Sequence, residues 1–379
     1  MKYVLLLAGL ALGVLLAVLY PPERARPLWW QLGVVALVTG VLLATLLPPI
    51  GGSLTDAVVA NRLGQRPVVS LPLLSSSEVQ QLQRAPASVP VLLRCVGLPS
   101  YDTVHRAWCV SVEDLSPRRY RATALFPMEP PPELLQASSA VVELRWMGSD
   151  TLWAVQRVAA LEPWIVLPYI LGLEERARIL YFHVPFAWGA VVAYAIAMVA
   201  ALQYLRHREL KAELRAVAAA GVGTLFTVLA TVTGAIWARF NWGAFWNWDP
   251  RQTTIVVLLL IYLAYFALRS SLPEGEQRAR LSSVYLVFAF VTVPFLVFVL
   301  PRMMESLHPG GRGDTTLGPL VDPSPEALNL VKQVLFSGAL LAFTALFGWL
   351  WSLAVRVLRL SRAVEIQAEA HHGVPEPAQ

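Results

Sequence analysis

The sequence predicts an all-α polytopic membrane bundle of about seven transmembrane helices, amino terminus outside and carboxyl terminus inside. One small extracytoplasmic β domain is inserted into it. Three observations carry this prediction. Hydrophobic residues make up 56% of the 379 residues and charged residues only 15%, against about 25% in soluble domains; mean hydropathy is +0.56. Seven apolar runs approach the roughly 20 residues an α-helix needs to cross a bilayer. Basic residues gather in alternate connections between those runs.

The runs cover residues 3–20, 28–47, 184–205, 216–238, 254–268, 283–300 and 328–354. The fifth is short and can borrow residues from the loop before it. The first has only Lys2 ahead of it and no clear small-x-small cleavage site, so a retained helix is expected rather than a signal peptide. Arg24 and Arg26 lie between the first and second runs, and Arg206, Arg208, Lys211 and Arg215 between the third and fourth. Arg269, Arg278 and Arg280 lie between the fifth and sixth, and Arg356, Arg359 and Arg362 follow the seventh. With alternating helices all four groups share one side, which is then cytoplasmic. The net charge of +5 is therefore a topology signal and not a nucleic-acid footprint. The expected organisation is two N-terminal helices (1–49), an extracytoplasmic β-rich domain (50–165), a second membrane domain (166–362) and a disordered cytoplasmic tail (363–379).

Within 50–165 the apolar runs shrink to strand length. Candidate strands are 89–96, 106–114, 119–126, 140–146 and 152–161, with MEPPPE and MGSD read as turns. Five short strands in this length suit a small barrel or sandwich, an OB-like barrel being the first template. The two cysteines, Cys95 and Cys109, both lie here, with no CxxC or CxxCH. Their spacing permits a disulfide without requiring one.

Chemistry concentrates in NWGAFWNWDPRQT, residues 241–253, between the fourth and fifth runs. Trp242, Phe245, Trp246 and Trp248 stand beside Asp249 and Arg251, with Trp237 and Arg239 just upstream. Of six histidines, His371 and His372 fall in the tail, His207 in a basic loop and His105 in the β domain. His183 and His308 remain, and both fall at the outer face with the aromatic loop. Neutral imidazole is a favoured ligand for haem iron. Tryptophan faces offer apolar contact, and Arg239, Arg251 or Arg302 could pair with propionates. Asp249 would orient a neighbouring arginine or tryptophan N–H. Met303 and Met304 add thioethers that also ligate iron. The plainer readings are an interfacial aromatic anchor and a capping histidine.

The string TGAIWARFNWGAFWNWDPRQT resembles the tryptophan-rich WWD signature (here 237–253) of the haem-handling proteins of cytochrome c maturation. RILYFHVPFAW and ESLHPG resemble the two histidine motifs of the haem exporter protein C (CcmC) branch, in the same order, over roughly residues 176–362. The resemblance implies haem b bound non-covalently at the periplasmic surface of a bacterial inner membrane, between His183 and His308 on the WWD loop. It implies delivery to a CcmE-type haem chaperone and association with CcmA- and CcmB-type ABC transporter subunits, in a handling scaffold rather than an enzyme. The chain departs from the family in carrying Phe245–Trp246 where two tryptophans are usual, Met303 and Met304 before the second histidine, and the added first helix and β domain. The β domain could gate the site or dock the chaperone. Alternatives are a CcsA- or CcmF-like haem-attachment synthase, a membrane cytochrome b subunit and a general transporter. The first two place histidines inside membrane helices, and none is expected there.

Overall fold

The computed structural model describes residues 2–46, 50–55, 57–58, 88–115, 119–163, 167–168, 174–308, 312 and 330–372. Its elements begin with helices α1 (Lys2–Val18) and α2 (Leu28–Leu46). Strands β1 (Ile50–Gly51), β2 (Ser88–Cys95), β3 (Ser100–Asp102), β4 (Ala107–Asp114) and β5 (Arg121–Phe126) follow, then a short helix α3 (Pro132–Gln136). Strands β6 (Ala140–Ser149), β7 (Leu152–Leu161) and β8 (Leu167–Pro168) come next. The remainder is helical: α4 (Leu180–His207), α5 (Leu210–Trp242), α6 (Pro250–Ser271), α7 (Glu276–Pro294), α8 (Leu300–Met303) and α9 (Leu330–His372). The chain divides into two compact units, Met1–Val41 with Ile179–Asp322 and Gln333–Gln379, and Leu42–Arg178 with Pro323–Lys332.

Among the described residues, six helices are long and apolar enough to cross a membrane: Leu28–Leu46, Ala177–His207, Leu210–Trp242, Pro250–Ser271, Glu276–Met303 and Lys332–Gln367. The first of the seven expected runs forms a shorter apolar helix, Tyr3–Val18. That helix lies close against α9. A Cβ on Gly9 would stand 2.3 Å from Ser337 Oγ, one on Gly13 2.8 Å from Thr344 Cβ, and one on Gly348 2.5 Å from Ala17 Cα. Gly9, Gly13 and Ala17 repeat every four residues, so they form one stripe. Lipid supplies no hydrophobic drive between helices, and small residues gain association by letting backbones approach. The same device joins α4 to α5, where a Cβ on Gly189 would meet the Phe226 ring at 2.5 Å and one on Gly223 the Tyr194 ring at 2.8 Å. Between these helices and α6, Tyr194 stacks on Tyr262 at 3.5 Å and shares a 2.8 Å hydrogen bond with Thr227.

The end of the bundle at the start of α5 carries a cluster of ion pairs around buried Glu213. Arg269 donates to Glu213 at 2.5 Å, with Arg362 3.5 Å from the other carboxylate oxygen. Arg215 pairs with Glu23 at 2.6 Å. Buried Arg26 donates to the carbonyls of Ala17 and Tyr20 at 2.9 and 2.8 Å, capping the end of α1. Cations there also complement the helix dipole. Between α7 and α8 the backbone widens into one π-helical stretch, Phe295–Val299, where the Leu300 N–H reaches Phe295 O. Pro294 and Pro301 bracket this stretch, and each lacks the N–H that regular α-helix would need.

In the other unit β2, β4, β5, β7 and β6 pair in a closed ring, β3 adding to β4 at the edge. All ring pairings are antiparallel except β5 with β7. Inward residues Val89, Val91, Leu93, Val110, Val112, Ala124, Val142, Leu144 and Trp153 are buried, alternating along their strands as a half-buried sheet requires. The five expected strands match β2, β4, β5, β6 and β7. The MEPPPE turn is corrected: its last two residues begin α3, because proline suits a first helical turn. Cys95 and Cys109 are both free thiols, facing Val112 and Ser100 across the sheet. The expected disordered tail is corrected too, since α9 runs on to His372; residues 373–379 lie outside the described ones.

The contact of Gly348 with Ala17 is to backbone, so neither side can yield. Gly348→Ala is expected to lower stability by about 1–3 kcal/mol, read as a fall in the melting temperature of the purified protein, while Gly338→Ala, where a Cβ meets nothing within 4 Å, leaves it unchanged.

Candidate functional site

A cavity of about 150 Å3 opens at the far end of α5 from the Glu213 cluster. His183 enters it from α4, Gly234, Trp237 and Trp242 from α5, Trp246 from the turn after α5, and Arg251 from α6. Asp249, Gln252, Leu296, Pro301 and His308 complete the polar and apolar rim. The two outer histidines, 125 positions apart in the chain, thus line one cavity with three of the tryptophans.

His183 is the fourth residue of α4, not the residue before it, because a tight 3₁₀ turn (Glu174–Ile179) starts the helix early and leaves Pro185 inside it. The expectation that no histidine lies within a membrane helix is therefore corrected. Nδ1 of His183 lies 3.0 Å from Ala230 O and 3.1 Å from Thr233 Oγ1. A carbonyl can only accept, and the Thr233 hydroxyl donates to Leu229 O at 2.7 Å. Nδ1 therefore carries the proton, and the lone pair sits on Nε2. Gly234 keeps this ring in place by absence: a Cβ there would stand 2.9 Å from His183 Cε1. Ala230, Gly234 and Trp237 follow helical spacing and share one face of α5.

Gly243 ends α5 in the left-handed region (φ 83), its N–H bonded to Arg239 O at 3.1 Å. The Arg239 guanidinium donates to Gly243 O and lies over the Phe245 ring. It is a C-terminal cap, and it does not line the cavity. The turn is then fixed by Gln252, which accepts from Asn247 N at 2.9 Å and donates to Phe245 O at 3.1 Å. Asp249 caps α6 by accepting from Arg251 N at 2.9 Å, with Pro250 in the first helical position. The helix thus starts four residues ahead of the run expected at 254.

Asp249 has a second duty. Its other oxygen accepts from Ser306 Oγ at 2.7 Å and from Leu307 N at 2.8 Å, and Ser306 Oγ in turn accepts from His308 N at 3.0 Å. The carboxylate, 3% exposed, thereby holds the segment carrying His308 against the aromatic turn. The His308 ring lies 5.7 Å from that of Trp237, which meets Trp242 edge-on at 4.9 Å. The expectation that Asp249 orients an arginine side chain or an indole is corrected: its partners are a serine hydroxyl and backbone amides.

Phe245 and Trp248 are 57% and 76% exposed and face away from the cavity, as do Met303 and Met304 at 60% and 46%. Trp248 takes φ 55, an uncommon conformation for a bulky side chain. Two buried donors on the cavity wall, Trp237 Nε1 and Arg251 Nε, have no hydrogen-bond partner. Buried donors are ordinarily satisfied, so these two are available to a ligand. Sequence reasoning missed Ala230, Thr233, Gly234 and Ser306. For Gly234 the available signal was a glycine about one helical turn before Trp237, on the same face. Ser306 gave none, since its bond spans 57 positions.

The family model described as Heme exporter protein C matches residues 128–369, which hold every residue of the cavity. The chain is similar to heme exporter protein C of Bradyrhizobium diazoefficiens, 32% identical over 187 residues, covering 49% of this chain and 68% of that one. It is similar to heme exporter protein C of Paracoccus denitrificans, 35% identical over 172 residues (44% and 71%), and of Escherichia coli, 32% over 166 residues (43% and 66%).

Hydrogen bonds to a charged acceptor contribute about 1.5–3 kcal/mol each. Asp249→Ala is expected to raise amide hydrogen exchange across residues 304–308 at least tenfold, with exchange in the middle of α5 unchanged; exchange that stays slow at 307 would remove Asp249 as the tether.

Proposed function

The chain belongs to the heme exporter protein C family, and from that premise we propose that it binds haem b as cargo in this cavity. His183 and His308 are the axial ligands, and Trp237, Trp242 and Trp246 give the macrocycle its apolar contact. The observation that carries the reading is the pair of imidazoles lining one cavity, with His183 already held in the tautomer that leaves Nε2 for iron. Arg251 is the propionate partner this geometry favours, since its Nε is buried and unpartnered beside the cavity. Arg239 is occupied as a helix cap, and Met303 and Met304 point elsewhere, which leaves iron to the histidines.

Position along α5 supports an outward-facing site. From Leu214 to Gly234 the helix rises about 30 Å, the thickness of a hydrocarbon core. The cavity and the basic connections thus sit at opposite surfaces, and the basic side reads as cytoplasmic. At 17 residues, α1 is about 26 Å long, enough with its packing on α9 to make a seventh span. On this reading the protein sits in a bacterial inner membrane, hands haem to a CcmE-type chaperone during cytochrome c maturation, and works beside CcmA- and CcmB-type transporter subunits. The second unit reads as an OB-like barrel. Its ring order, the parallel pairing of β5 with β7 and the helix between β5 and β6 favour that template.

The test is a visible spectrum of the detergent-purified protein. The wild type is expected to show a Soret band of bis-histidine haem, lost or shifted in both His183→Ala and His308→Ala; a band unchanged in both variants sinks the reading. Gly234→Ala, which drives a methyl into the His183 ring, is expected to weaken haem binding at least tenfold in titrations, whereas Phe245→Ala and Arg239→Gln change it less than threefold.

A further inference from the structure

A second concave surface lies at the opposite end of α5 from the haem cavity, between the first turn of α5 and the last turns of α9. It encloses about 520 Å3. Lys211, Arg359 and Arg362 supply three cations to its wall against one carboxylate, Glu209. Leu210, Leu214 and Ile366 give it an apolar side. Of the cations, only Arg362 makes an ion pair among the described residues, 3.5 Å from Glu213. Glu209 on the wall and Glu23, which feels the charge of Arg359, offset part of this, and Lys211 with Arg359 leave the wall cationic.

Its depth narrows the choice of occupant. Leu214 stands about 30 Å along α5 from Gly234 in the outer cavity, so the groove falls where hydrocarbon gives way to headgroups on the basic side. A surface that sets Lys211 and Arg359 beside Leu214, one turn deeper along α5, is complementary to a phosphodiester with acyl chains. A soluble anion would use only the cations, and an apolar peptide only the leucines. We propose that this groove is a binding site for an anionic phospholipid. The phosphate sits between Lys211 and Arg359, with Arg362 behind it, and an acyl chain runs along Leu210 and Leu214. Bound there, the lipid bridges α9 to α5, whose other end carries the cavity. The inference rests on the membrane placement proposed above but not on haem, because neither its residues nor its readout involve the cavity.

The experiment uses the full chain in detergent, with lipid binding measured by native mass spectrometry and by titration with phosphatidylglycerol and phosphatidylcholine. Wild type is expected to retain and rebind phosphatidylglycerol in preference to phosphatidylcholine. Each basic residue near an anionic lipid contributes a few-fold in affinity, so Lys211→Gln with Arg359→Gln should cost about tenfold or more for phosphatidylglycerol alone. Lys211→Arg with Arg359→Lys should restore most of it. Arg280→Gln removes an exposed charge from another connection and should change it less than twofold. Equal losses in Arg280→Gln and the double variant would show a diffuse surface attraction and overturn the proposal. So would displacement of the lipid by millimolar inorganic phosphate, which would mark a soluble-anion site, or the absence of any lipid preference in a wild type that melts normally.

Discussion

One buried carboxylate holds the site together. Asp249 accepts three hydrogen bonds, from Arg251 N, Ser306 Oγ and Leu307 N, and so joins the start of α6 to the segment that carries His308. Burying a carboxylate is costly unless it is satisfied, and charge-assisted bonds to amide and hydroxyl donors offset that cost. The result is a join between two stretches of chain 57 positions apart. It also makes the two histidines unequal. His183 stands on a long helix with its ring bonded to α5 and packed over Gly234. His308 stands on a short stretch beyond α8 and depends on the Asp249–Ser306 tether. The wall that carries His183 is thus fixed by helix packing, and the segment that carries His308 is joined to α6 by the Asp249 bonds.

The fixed wall follows from α5. At 33 residues it outreaches the hydrocarbon core at both ends. Its middle is lined by alanine and glycine that bring α4 close enough for Phe226 and Tyr194 to fill the space a Cβ would take. In lipid, such contacts supply the association that water would otherwise drive. Close approach between α4 and α5 is what brings His183 within reach of Ala230 O, so the packing that stabilises the bundle and the tautomer that suits iron share one cause.

Much of this is legible in the sequence, and the misses have physical reasons. Apolar length locates the long helices, and apolar runs of strand length between turn residues locate β2, β4, β5, β6 and β7. The tryptophan loop stands out because four aromatic residues crowd beside Asp249 and Arg251, and the two histidines because the other four fall in the tail, a basic loop and the β domain. What sequence does not supply is pairing. Asp249 with Ser306 spans 57 positions, and His183 with Ala230 spans 47, and neither distance leaves a local trace. Arg239 has the chemistry of an anion partner, but the helix end places its guanidinium on Gly243 O. The MEPPPE segment gives its last residues to α3 because proline, which breaks a helix interior, favours its first turn.

The aromatic loop shows why residue type alone misassigns roles. Trp237, Trp242, Phe245, Trp246 and Trp248 read from the sequence as one shelf, yet the turn from Gly243 to Asp249 sorts them. Trp237, Trp242 and Trp246 line the cavity. Phe245 and Trp248 are turned outward and largely exposed. The Gln252 bonds to residues 245 and 247 fix that alternation, and the positive φ of Trp248 is the strain it carries. The two sets of side chains that a tryptophan-rich loop can present, exposed and cavity-lining, therefore come from the same short stretch. The outward pair suits a membrane boundary while the other three line the cavity, so that one backbone path sets both.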